Sequence, residues 1–126
     1  MLALQFPISN LRSADGVVRC ALWQSEDGYP SDAQKAVAKT VATIKGTEAI
    51  CEFVGLSAAT YAMSAFHDEN NDGKLNTNFF GIPTEGIAAS NDAKGRFGPP
   101  HFADAKFVYP GGAAQFPVKM VYILGK

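Results

Sequence analysis

Apolar residues recur at every second position over much of this chain. Leu2, Leu4, Phe6 and Ile8 share one face, and Val18, Cys20 and Leu22 share another after a turn at Ser13-Ala14-Asp15-Gly16. A period of two marks a half-buried strand, because successive side chains leave a strand on opposite sides. Further strands are predicted over Val41–Lys45, Ala49–Val54, Tyr61–His67, Lys106–Tyr109 and Gln115–Leu124, with turns at Gly46-Thr47 and Pro110-Gly111-Gly112. About seven strands at short spacing predict an all-β domain, an antiparallel sandwich of immunoglobulin-like or transthyretin-like kind.

Two stretches depart from that rhythm. Ser31-Asp32-Ala33-Gln34 fits a capping box, and Ala33 to Ala38 are good helix formers, which predicts one or two helical turns. His67 to Asp104 has no strong period and holds five of the six asparagines, five glycines and three prolines. Stretches of this length without regular structure are usually functional or disordered. Phe79, Phe80, Phe97 and Phe102 supply apolar anchors, so an ordered excursion from the sandwich is predicted.

Composition narrows the class. With 126 residues the chain makes one domain, spanning 1–126, with core enough to fold without a metal. A formal net charge of -1 provides no basic field for nucleic acid or an anionic membrane. No apolar run approaches the roughly 18 residues of a membrane span. Cys20 and Cys51 lie on strand faces expected to point inward, so their sulfurs could meet; a disulfide and two buried thiols both stay open.

The chemistry concentrates in His67-Asp68-Glu69-Asn70-Asn71-Asp72-Gly73-Lys74-Leu75-Asn76-Thr77-Asn78. Asp68, Asn70 and Asp72 alternate and are followed by a glycine. Ca²⁺ takes six to eight oxygens at about 2.3–2.6 Å, and a chain curling around the ion presents side chains at alternate positions. Lys74 would add its carbonyl, Asn76 a direct or water-mediated contact, and Leu75 would turn into the core. The spacing matches the first nine positions of an EF-hand loop. Phe79 stands where that motif has a bidentate glutamate, and the flanks read as strands, so a missing carboxylate would come from Glu85, Asp92 or Asn78. The competing reading is a metal-free turn whose side chains bond their own backbone.

His67 adjoins the loop and has only His101 as a fellow histidine, so a hydrogen-bonded structural role is expected for it. Arg96, in Gly95-Arg96-Phe97-Gly98-Pro99-Pro100, is expected to pair with Glu85 or Asp92, the alternative being a clamp on an anionic ligand. No phosphate-binding glycine loop or nucleophile elbow is visible.

Three strings, Ser25 to Pro30, His67 to Gly86 and Gly95 to Phe102 with the following Ala103-Asp104-Ala105, resemble a bacterial family catalogued as a domain of unknown function, number twenty-one forty-one. The resemblance implies an exported, periplasmic β-sandwich and supplies no reaction. Cys20, Cys51 and His101 depart from the family pattern. The functional expectation is a non-enzymatic binding or scaffold module carrying a Ca²⁺-type site and meeting a protein or small-molecule partner. The alternatives are a metal-assisted hydrolase built on His67, Asp68 and Glu85, and a purely structural envelope protein.

Overall fold

The structure, a computed structural model, describes residues 3–94 and 99–124. Two sheets pack face to face. The first has the order β4-β1-β8, where β1 is Ala3–Ser9, β4 Ala49–Val54 and β8 Ala114–Gln115; β9, Val118–Lys119, also pairs with β1. The second has the order β3-β2-β5-β6, with β2 at Val17–Trp23, β3 at Ala38–Ala42, β5 at Ala59–Asp68 and β6 at Ile87–Ala89; β7, Phe107–Tyr109, pairs with the start of β5.

The alternation that predicts the strands is the alternation that builds the core. Leu4, Phe6 and Ile8 of β1, Val18, Cys20 and Leu22 of β2, and Cys51 and Phe53 of β4 all face inward. Phe6 is the hub, with edge-on contacts to Phe53 and Phe107 at ring-centre distances of 6.0 and 5.6 Å. Cys20 and Cys51 are joined by a disulfide, so β2 of one sheet is covalently tied to β4 of the other.

The sandwich is as expected, and several details are not. Strands β8 and β9 run parallel to β1, where an all-antiparallel fold was expected. They are two short pieces because Phe116 and Pro117 interrupt the predicted Gln115–Leu124 strand, and Pro117 has no amide hydrogen to donate to a ladder. The chain then crosses to the second sheet, where Val121 and Ile87 exchange backbone hydrogen bonds. The third strand lies at Ala38–Ala42 rather than Val41–Lys45. The predicted helix shrinks to one 3-10 turn, Ala33–Lys35, capped by Asp32, because Val37 already donates its amide to Leu22 and enters the sheet.

The excursion is more regular than its sequence. His67 and Asp68 end β5, and the rest contains β6, a 3-10 turn at Ser90–Asp92 and the short helix α1, Phe102–Ala105. Ala62, Ala89 and Ala105 form a second small core with Tyr29 and Phe102 packed against it. Small side chains let these segments approach closely, and Ser90 Oγ ties them by accepting from the Met63 amide and donating to the Ala105 carbonyl.

Candidate functional site

The loop after β5 rises from a foot made of buried polar groups. Asp68 is fully buried, yet both of its oxygens are engaged. Oδ2 accepts from Arg19 Nε at 2.6 Å and from the Gly73 amide at 2.8 Å, and Oδ1 accepts from the Asp72 amide at 3.2 Å. Arg19 comes from the neighbouring strand β2, where it sits opposite Phe66, and its Nη2 donates to Asn71 Oδ1. Glu85 closes the other side, with Oε2 accepting from the Glu69 amide and Oε1 from the Asn76 amide, both at 2.9 Å. One carboxylate thus pins both legs of the loop.

His67 sits beneath this foot with no exposure. Nε2 lies 2.8 Å from the Asp15 carbonyl, which can only accept, so Nε2 carries the proton. In the neutral ring Nδ1 is then the acceptor, and Tyr122 donates its hydroxyl hydrogen to it over 2.8 Å. The Tyr122 oxygen also accepts from the Arg12 amide, while the Arg12 guanidinium lies 4.4 Å above the Tyr122 ring. That guanidinium forms a forked pair with Glu69 and reaches the carbonyls of Thr84 and Leu124. Hydrogen bonding to Glu69 raises the Arg12 pKa further, and desolvation raises that of Tyr122.

The predicted ligand set is therefore divided. Asn70, Asp72 and Asn76 come together: Asp72 Oδ2 accepts from Asn76 Nδ2 at 2.9 Å and Asn70 Nδ2 at 3.4 Å, and Oδ1 accepts from the Lys74 amide. The Asn76 bond is the main reason that the Asp72 carboxyl is held below its usual range. Asn76 Oδ1 is buried without a hydrogen-bond partner among the described residues. Asp68 adjoins this group, its Oδ1 accepting from the Asp72 amide, but its Oδ2 is held by Arg19. Among the described residues no group of three or more His, Cys, Asp and Glu side chains is arranged to hold a metal.

Other candidates have local duties. Asn78 organises the loop tip, its Oδ1 accepting from the Phe80 and Ile82 amides. Asp92 accepts from the Lys119 amide at the start of the crossing to the second sheet. Arg96 and Phe97 lie outside the described residues. Leu75 is only half-buried and belongs to neither core cluster.

The anchors at the tip invert the expectation. Phe79 is 96% and Phe80 80% exposed, their rings edge to face at 5.5 Å, on a stem closed by a Thr77–Pro83 bridge. Only Phe102 of the described anchors packs inward. Sequence reasoning missed Arg12, Arg19 and Tyr122, whose partners lie 49 to 112 positions away along the chain. Their sole local signal is that Arg19 falls on the polar phase of an alternating strand.

The disulfide is consistent with an extracytoplasmic domain, and no helix among the described residues is long and apolar enough to cross a membrane. Neither the search of curated proteins nor that of solved structures returned a match. A family model does match residues 7–116, which covers all the strands from mid-β1 to β8. The chain therefore belongs to the family described as "Uncharacterized protein conserved in bacteria (DUF2141)".

Proposed function

We propose that this domain is a non-catalytic, periplasmic binding module that offers its 68–83 loop to a partner. One contrast carries the reading. His67, Asp68 and Glu85, the side chains a hydrolase would use, are buried and bonded to the domain's own groups, whereas Phe79 and Phe80 on the same loop stand in solvent. A general base must reach the reacting proton directly or through one water, and buried, satisfied side chains do not. Exposed adjacent aromatics on a stem fixed by Asn78 are the kind of anchor that fills a partner's apolar pocket.

A Ca²⁺-type ion belongs to this reading as a brace for the loop. Asn70 and Asn76 already meet at Asp72 Oδ2 through their amide nitrogens, the Lys74 carbonyl is adjacent in sequence, and the buried Asn76 oxygen lacks a partner among the described residues. Turning the two side-chain amides over would bring their oxygens to the Asp72 carboxylate, a set of hard donors of the kind Ca²⁺ prefers. The engagement of Asp68 by Arg19 leaves this set with a single carboxylate, so weak binding of millimolar order is expected.

Two measurements test the proposal. The folded Phe79→Ser/Phe80→Ser variant should lose the partner that the wild-type domain retains from envelope extracts, and Ca²⁺ should raise the wild-type melting temperature more than Mg²⁺ does. Equal retention by the double variant would remove the tip from the function. A melting temperature indifferent to calcium, or an Asp72→Ala variant as responsive as wild type, would reduce the loop to a hydrogen-bonded turn.

A further inference from the structure

The string at Ser25 to Pro30 and the 99–104 part of the last string are over sixty residues apart in sequence and face each other across one cleft. One wall is residues 26–30, the other residues 99–104, and about 820 Å³ lies between them. This is not the 68–83 loop: the cleft lies beside Ala62 and Met63 in the middle of β5, whereas Asp68 ends that strand. Five residues lie between Ala62 and Asp68, a span of roughly 20 Å.

Both walls are built before any ligand arrives. Gly28 takes a φ of +83°, and a Cβ there would lie 2.5 Å from Lys35 Cβ, so the turn accepts no larger residue. Tyr29 donates its hydroxyl hydrogen to the Met63 carbonyl, and Ser64 Oγ donates to the Pro30 carbonyl, which fastens this wall to β5. The other wall is held by α1, whose Asp104 and Ala105 amides return to the His101 carbonyl, and by Asn91, which donates to the Asp104 carbonyl. A preformed cleft loses little ordering entropy on binding.

Acidic side chains dominate its described lining. Glu26, Asp27 and Asp104 are exposed around it together with His101, and no lysine or arginine is among the described lining residues. Between the carboxylates lie the half-buried rings of Tyr29 and Phe102, edge to face at 5.9 Å. Carboxylates at the rim and aromatic faces below suit a long side chain with an apolar stem and a cationic head. The domain itself supplies an example, since Lys35 Nζ reaches Asp27 at 3.3 Å. Phosphates and nucleic acids carry the wrong charge for such a lining.

We propose that this cleft docks a basic peptide segment, laying lysine or arginine stems across Tyr29 and Phe102 with their cationic heads on Glu26 and Asp104. The proposal is independent of the calcium reading and of the aromatic tip. Trp23, the chain's single tryptophan, packs edge-on against Tyr29 at 5.2 Å and gives a fluorescence reporter behind the cleft.

The test is titration of the full chain with tetralysine amide, followed by backbone NMR and Trp23 emission, with tetraglutamate and CaCl₂ as separate arms. Saturable shifts confined to residues 26–30 and 99–104 are expected, weakening as salt is raised because exposed charges are screened. Glu26→Gln/Asp104→Asn should weaken tetralysine about tenfold, and Asp72→Asn, at the far end, should leave it unchanged. Shifts that fail to saturate, an Asp72→Asn effect as large as the cleft variant's, or the same shifts from calcium alone would each overturn the proposal. The last two outcomes would mean diffuse charge attraction and a simple cation site respectively.

Discussion

At the scale of single residues, burial decides what a charge does here. Asp68 and Asp27 are both carboxylates paired with a basic side chain, but Asp68 is fully buried and Asp27 is mostly exposed. Asp68→Ala strands two amide hydrogens and an arginine, so it should cost about 2–4 kcal/mol in urea denaturation. Asp27→Ala should stay within about 0.5 kcal/mol, as exposed pairs usually do. Equal effects would mean that the foot of the loop is open to water. The tyrosines give a second test. Burial raises the pKa of both Tyr29 and Tyr122 above the ordinary value near 10. The unfolded chain then binds fewer protons than the folded one above about pH 10, so stability is intact below that pH and falls as pH rises beyond it. Phenolate absorbance from Tyr29 and Tyr122 should accordingly appear together with unfolding. Early ionisation of these two without loss of structure would contradict the burial.

At the scale of elements, one glycine shows how the turn before β2 and the metal-like loop are coupled. Gly16 has a φ of +69°, and a Cβ on it would lie 1.9 Å from the Asp68 carbonyl oxygen. Gly16→Ala must therefore push apart backbone that holds both the Asp15 carbonyl of His67 and the start of the loop. A loss of at least about 2 kcal/mol is expected, with amide shifts spreading to Asp72 and Gly73. Gly73→Ala, whose Cβ would meet nothing within 4 Å, should cost less although its φ is +83°. A reversed order would show that conformational strain outweighs the clash. These couplings also explain what the sequence disclosed. β1, β2 and β4 were legible because alternation is local and one of their faces is buried. β6 was not, being three residues of Ile and Ala whose strand state comes from pairing with Ser64 to Phe66. The ligand spacing of Asp68, Asn70 and Asp72 was visible, but the arginine that claims Asp68 arrives from another strand. Phe79 and Phe80 were misjudged because hydrophobicity alone does not say whether a core lies within reach.

At the scale of the whole molecule, the two sheets are held together by an apolar interior, the Ile87–Val121 crossing and one covalent bond. The bond joins residues 31 positions apart. Closing a loop of that length removes unfolded-state entropy equivalent to about 3–4 kcal/mol in the chain-entropy model. For a domain of this size that is a large share of the roughly 5–15 kcal/mol typical of folded proteins. Both sulfurs are buried in the core, so Cys20→Ala/Cys51→Ala removes the bond while leaving only small voids beside Val18 and Phe53. The double variant should fold, lose about 3–4 kcal/mol against the oxidised wild type, and show a steeper urea transition, because its unfolded chain is no longer held compact by the bond. Reduction of the wild type should give a comparable loss, and the intact mass should rise by two hydrogens. If the variant and the oxidised protein unfold at the same urea concentration, the apolar packing around Phe6, Phe53 and Phe107 and the Ile87–Val121 crossing hold the sheets together without the bond. The bond would then mark the compartment of folding and contribute nothing to the strength of the fold.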